Sequence, residues 1–173
     1  MKKTTLLLLL MACAAPAFAQ QQLGFLLGGS KRFYHGADKW KLSNSVKEVW
    51  WGTEIEPQTM LRIKAGEFTA PTGVVSAAGV APGKGRIEHI DAVVDYRFSE
   101  IYGTTGLFLG AGLYRQKSGG GNEGTDWGWS AGVNGDFPIN RHYGATVEAT
   151  YHSINYSYKP RYLTVGVGLR VKF

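Results

Sequence analysis

The sequence predicts an all-β fold: an eight-stranded antiparallel up-and-down transmembrane β-barrel, made behind a cleaved N-terminal signal peptide. Three observations carry this. Eight segments alternate apolar and polar residues with period 2. Short turns alternate with longer connections between them. The composition lies between membrane and water, with 44% hydrophobic and 18% charged residues, 24 glycines and many aromatics (5 Trp, 9 Tyr, 8 Phe).

That balance excludes several classes. The chain is too apolar for intrinsic disorder. After the N-terminus no run approaches the ~18 apolar residues of a membrane helix. Glycine is about twice its usual ~7% share but has no collagen-like period. The length of 173 residues suits one domain.

The first element is an address. Lys2 and Lys3 precede the apolar run Leu6 to Ala15, and Ala17-Phe18-Ala19 offers small residues where a signal peptidase reads. Residues 1–19 are therefore expected to be a signal peptide and 20–173 the barrel domain. Leu10-Met11-Ala12-Cys13 loosely matches a lipoprotein box, a second reading for the single cysteine. Otherwise Cys13 leaves with the signal, and no disulfide staples the mature chain.

The strands are expected near 22–34, 47–56, 59–68, 86–98, 105–116, 126–137, 143–156 and 161–173. The last is the clearest. Leu163, Val165, Val167, Leu169, Val171 and Phe173 share one face, and Tyr162, Thr164, Gly166, Gly168, Arg170 and Lys172 the other. In the fourth, Ile90, Ala92, Val94, Tyr96 and Phe98 oppose His89, Asp91, Asp95 and Arg97. In the seventh, Ala145, Val147, Ala149 and Tyr151 oppose Thr146, Glu148, Thr150 and His152. The third sets Leu61, Ile63 and Ala65 against Arg62 and Lys64; the second sets Val49, Trp51 and Ile55 against Glu54 and Glu56.

A soluble sandwich also alternates, so the make-up of the faces must arbitrate. The polar faces mix charge with Gly, Ser and Thr, as a narrow lumen requires. The apolar faces are smooth Leu, Val and Ala with aromatics towards the strand ends, as in a lipid-facing wall with aromatic girdles. Phe98, Phe137, Tyr143 and Phe173 are expected in a periplasmic belt, and Trp51, Phe68, Trp127, Trp129 and Tyr151 towards the outer interface.

Taken together, the chain resembles the small eight-stranded bacterial outer-membrane β-barrel proteins over its whole mature length. The resemblance rests on the signal, the eight alternating strands and the final apolar strand ending in Phe173. It implies an integral, multi-pass protein of the Gram-negative outer membrane and cell envelope. It also implies Phe173 as the terminal aromatic presented to the barrel-assembly machinery. Outer-membrane lipids and lipopolysaccharide are the implied partners, with no cofactor, no metal and no nucleic acid, and a monomer is expected.

Eight strands leave a lumen that side chains just fill. Glu54, Glu56, Asp91, Asp95, Asp136 and Glu148 are expected to face Arg62, Lys64, Arg97, Arg170 and Lys172 there, with His152 in the same polar network. Unpaired buried charge is costly, so these groups should hydrogen-bond to one another. His152 is expected to bond Glu148.

With both termini periplasmic, turns at 57–58, 99–104 and 138–142 face the periplasm and loops at 35–46, 69–85, 117–125 and 157–160 face outwards. The glycines of the third loop resemble a phosphate cradle, but no helix follows them. Bases gather at the outer rim: Lys31, Arg32, Lys84, Arg86, Arg115, Lys117, Lys159 and Arg161, with Lys39, Lys41 and Lys47 besides. Tyr34, Trp40, Tyr114, Tyr156 and Tyr158 intersperse them. Such a rim attracts lipopolysaccharide phosphates.

The expected role is therefore structural or surface interaction. Two alternatives remain open. One is a narrow, porin-like channel. The other is a lipid A-modifying, deacylase-like esterase using His152 and Ser153 with Glu148. That deacylase family spaces its His and Ser two residues apart, whereas Tyr151-His152-Ser153-Ile154-Asn155 makes them neighbours, and period 2 sends neighbours to opposite faces. His89-Ile90-Asp91 puts two metal-ligand types on one face with no third nearby in sequence.

Overall fold

A computed structural model describes residues 20–33, 44–76, 79–118, 124–156 and 159–173. The signal segment 1–19 with Cys13, and the rim residues Tyr34, His35, Lys39, Trp40, Lys41 and Tyr158, lie outside the described residues. The elements are β1 (Gln21–Phe33), β2 (Asn44–Glu56), β3 (Thr59–Ser76), β4 (Gly79–Glu100), β5 (Gly103–Ser118), β6 (Gly124–Pro138), β7 (Tyr143–Ile154) and β8 (Arg161–Lys172). Every expected strand is present, and each pairs antiparallel with its sequence neighbours.

β1 also pairs with β8, from Gln22↔Lys172 to Phe33↔Arg161, which closes the barrel and removes its edges. The start of β1 meets the residue after β8: Gln21 N–H donates to the Phe173 carbonyl at 3.2 Å, and Phe173 N–H donates to the Gln21 carbonyl at 3.0 Å. Glycine makes this seam close. A Cβ at Gly168 would overlap the Phe25 carbonyl. The start of β1 and the end of β8 share one end with the turns after β2, β4 and β6 (the turn end); the opposite end carries the longer connections (the loop end).

The walls follow the predicted alternation. One outward row runs Leu169, Phe25, Val49, Ala65, Ile90, Leu113, Trp127 through directly paired positions. Leu107, Leu109, Val133, Val147 and Val167 are likewise exposed on the outside. Such an apolar exterior needs a hydrocarbon solvent, because monomeric water-soluble proteins expose patches of only a few hundred Å². Phe98, Phe137, Tyr143 and Phe173 are exposed near the turn end, as the belt requires.

Four expectations change. Phe68 is fully buried in the interior (0% exposed), because it shares parity with Arg62 and Lys64 rather than with Leu61 and Ile63. Trp51 faces outwards but pairs with Leu23, close to the start of β1, and so lies towards the turn end. Glu56 is exposed: a register shift between Glu54 and Glu56 against β3 breaks the alternation there, burying Thr53 and turning Glu56 out. The segment 69–85 is largely ladder, paired from Thr69↔Arg86 to Ser76↔Gly79, so β3 and β4 form a ribbon rising beyond the barrel. β2 meets β3 only up to Val46↔Phe68, so this ribbon is two-stranded and tolerates Pro71 and Pro82 on its free edges.

A prediction follows from the wall. Leu109, 62% exposed between Val94 and Ala131, faces outwards in mid-strand. Leu109→Arg should destabilise the barrel folded in lipid vesicles by about 2–4 kcal/mol, read by urea titration of tryptophan fluorescence. An unchanged midpoint would contradict a lipid-facing wall.

Candidate functional site

The interior has three levels. In the middle, Glu148 on β7 accepts hydrogen bonds from Arg62 Nη1 at 2.9 Å and from Lys64 Nζ, both on β3. Thr150 Oγ1 donates to the same carboxylate at 2.8 Å. Lys64 reaches across to Glu48 on β2 at 3.1 Å. Arg62 Nε lies 3.4 Å from Asp95 on β4. These side chains are all buried, so the pairs act in low dielectric. Two aromatics cover them: the Phe108 ring centroid is 4.8 Å from both the Arg62 guanidinium carbon and Lys64 Nζ, and Trp50 is 5.4 Å from Arg62.

Towards the loop end the network passes through the histidines. His89 Nε2 lies 3.5 Å from Glu48, and its Nδ1 lies 3.2 Å from Asp91. Tyr114 Oη donates to Asp91 at 3.1 Å and lies 3.0 Å from His152 Nδ1. His152 Nε2 lies 3.1 Å from Thr164 Oγ1. The expected His152–Glu148 bond is thus replaced. Thr150 stands between the two in sequence and takes Glu148, while Tyr114 reaches His152 from β5, over Gly128 of the intervening β6.

Above the histidines the lumen is apolar. Val46, Phe68, Ile87, Tyr114, Ile154, Tyr156 and Tyr162 form one buried cluster. Phe68 packs against His152 at 5.1 Å and Tyr162 at 5.3 Å between ring centroids. Tyr156 Oη donates to the Tyr114 carbonyl at 2.9 Å, tying the end of the chain after β7 across the mouth. Tyr114 and Tyr156 were expected among the rim bases; both are buried instead. The lumen is therefore polar in the middle and aromatic at the loop end.

At the turn end, Arg97 contacts Asp95 at 3.1 Å and Asp136 at 3.3 Å, and Arg170 lies 3.5 Å from Asp136. Asn134 Nδ2 donates to Asp95 at 3.0 Å. Below them a polar cavity of about 130 Å³ is lined by Glu54, Lys172, Arg97, Gln22 and Gln58. Of the expected interior residues, Arg62, Lys64, Asp91, Asp95, Asp136, Glu148, His152 and Arg170 are buried together; Arg97, Glu54 and Lys172 line the turn-end mouth; Glu56 stands apart. Glu48 and His89 complete the network. Both occupy inward positions of their strands and could have been found by parity alone.

His152 and Ser153 do not converge. β7 pairs in unbroken register through His152 and Ser153, so His152 points inwards, fully buried, and Ser153 takes the outward face. His89 and Asp91 are engaged by Glu48 and Tyr114; among the described residues no cluster of three metal-ligand side chains forms.

The rim bases fall on the outer wall at the loop end. Lys47, Glu67, Glu88 and Arg115 form one directly paired outward row, and Arg86 pairs with Lys117 one step higher. Glu67 lies 3.1 Å from Arg86 and 3.9 Å from Lys47, and Glu88 lies 2.5 Å from Lys117. Three bases thus pair with two acids, and Arg115 stands opposite Glu88, on a charged belt directly above the apolar wall. Arg161 and Lys159 are exposed, Lys31 and Arg32 half-buried, and Lys84 pairs in the ribbon opposite Pro71.

A closed eight-stranded antiparallel barrel with an apolar exterior, a filled polar lumen and a charged collar is an integral outer-membrane protein of the Gram-negative type. The family model describing the outer membrane protein β-barrel domain matches residues 5–170, and the chain belongs to that family. Neisserial surface protein A superposes with a TM-score of 0.60 at 15% identity, covering 90% of this chain and 97% of the other. Ail, the attachment invasion locus protein of Yersinia pestis, gives 0.58 at 14% identity over 90% and 99%. The N-terminal barrel domain of Pseudomonas aeruginosa OprF gives 0.51 at 15% identity over 90% and 99%. These likenesses establish the fold. No curated protein matches in sequence.

The network makes its own prediction. Glu148→Ala leaves Arg62 and Lys64 buried without their shared partner, which should cost about 3–5 kcal/mol. Urea titration of the barrel in vesicles reads this. A loss below about 1 kcal/mol would mean that the pairs contribute no more than exposed ones do.

Proposed function

We propose that this protein is a structural and surface-contact barrel, loop end outwards, whose basic belt binds lipopolysaccharide phosphates. The observation that carries the reading is the outward belt of Lys47, Arg86, Arg115 and Lys117. It lies directly above the apolar wall, at the level where phosphates meet hydrocarbon. Lys31, Arg32, Lys84, Lys159 and Arg161 extend positive charge around the same end. Guanidinium and ammonium groups bind phosphate through charge-assisted hydrogen bonds. The fold neighbour Ail has been crystallised with sucrose octasulfate, a heparin analogue and a dense polyanion.

The interior supports a scaffold over a channel. The aromatic cluster and Tyr156 occupy the loop-end lumen, and the ion pairs occupy the middle. The deacylase-like alternative needs His152 within hydrogen-bond reach of Ser153, which their opposite faces oppose. On this reading Phe173, exposed beside the β1–β8 seam, is the assembly signal.

Removing three belt charges, Arg86→Gln/Arg115→Gln/Lys117→Gln, should weaken binding of purified lipopolysaccharide by about 100-fold, at ~1 kcal/mol for each base near an anionic surface. Microscale thermophoresis at low and high salt measures it. The wild-type affinity should fall with salt more steeply than that of the triple variant. Equal affinities would contradict the reading.

A further inference from the structure

The lipid-facing wall is not uniformly smooth. Two concavities lie on it, of about 590 Å³ and about 470 Å³, and both are bordered by Phe25 and Val49. They adjoin at these two residues as one oblique trough, which passes from β2 and β3 over β1 to β8 and β7. Its upper part is bounded by Leu27, Lys47, Ala65 and Glu67, and also touches Glu48, Glu88 and His89; its lower part is bounded by Leu23, Leu169, Val171 and Tyr143. The register explains the dent. Ala65 is the small residue of its outward row, set between Val49 and Ile90, so the wall recedes there.

The ends of the trough differ chemically. At the top, the Lys47 side chain is 66% exposed, and its Glu67 neighbour is 3.9 Å away and already engaged by Arg86 at 3.1 Å. At the foot, Tyr143 sits in the aromatic belt. A cation above an apolar channel fits an amphiphile carrying a phosphate over a hydrocarbon chain.

We propose that this trough is a lipid site: it seats one acyl chain of the lipid A part of lipopolysaccharide, with a lipid A phosphate on Lys47. The inference rests on the reading of the belt and deepens it, by adding a chain-binding groove to a phosphate-binding rim. Hydrocarbon fills the dent at Ala65 that the barrel's own side chains leave open.

The test separates chain from phosphate. The folded barrel is titrated with purified lipid A and, separately, with fully deacylated lipopolysaccharide, and bound ligand is counted by native mass spectrometry. Ala65→Trp fills the dent from the outward face, and the heat-dependent gel shift verifies its folding. Ala65→Trp should lower lipid A retention by about tenfold and leave the deacylated ligand unaffected; Lys47→Gln should weaken both. Equal lipid A retention in wild type and Ala65→Trp would overturn the groove, even where the belt variant loses binding. Loss of neither ligand in the belt variant overturns the belt reading instead. If phosphatidylglycerol displaces lipid A at equal concentration, the site belongs to a phospholipid and the proposal is wrong.

Discussion

Glu148 joining Arg62 and Lys64 is the interaction on which the rest of the barrel depends. Closing eight strands removes every edge but creates a narrow lumen, which side chains must fill. In the middle of the barrel the inward positions include Glu48, Arg62, Lys64, Asp95 and Glu148, each on a strand whose other face takes the lipid. The lumen therefore holds charge, and charge out of bulk water is tolerated only when paired and hydrogen-bonded. Glu148 meets that demand for two bases at once. Through Glu48, Asp95 and Thr150, the same group of contacts links β2, β3, β4 and β7. Five acids (Glu48, Asp91, Asp95, Asp136 and Glu148) then face Arg62, Lys64, Arg97, Arg170 and the imidazole of His89.

The levels of the lumen divide the work. The ion pairs fix strand positions in the middle. The aromatic cluster from Val46 to Tyr162 fills the loop end with buried side chains. The turn end keeps a polar cavity between Glu54 and Lys172. With the lumen occupied, contact with other molecules falls to the outside. There we propose that the collar of Lys47, Arg86, Arg115 and Lys117 takes up phosphate and the trough below it an acyl chain. A rigid core thus positions a surface, which is where function in small barrels is placed.

Much of this was legible in the sequence because period 2 is a geometric constraint. Leu163 to Phe173 could face only one medium, and the opposite parities of His152 and Ser153 kept those two residues apart. What escaped was what period 2 does not encode. The register shift at Glu54–Glu56 adds no recognisable residue type, so Glu56 was expected inside. The Ala, Gly and Pro of 69–85 look like a loop, yet a two-stranded ribbon accommodates them at its edges. The aromatic character of Phe68 suggests an interface position, whereas its parity places it inside. The partner of His152 lies 38 residues away on β5, and distances between non-neighbouring strands leave no trace in local sequence.

The most direct measurement of the central claim is a double-mutant cycle between Glu148 and Lys64, using Glu148→Gln, Lys64→Met and the double variant, each unfolded reversibly by urea from lipid vesicles. If the carboxylate and the ammonium stabilise the barrel through each other, the double variant is less destabilised than the two single variants added together, with a coupling of about 1.5–3 kcal/mol. Additivity within about 0.5 kcal/mol would show that the two side chains act independently, and would contradict the network as the barrel's organising interaction.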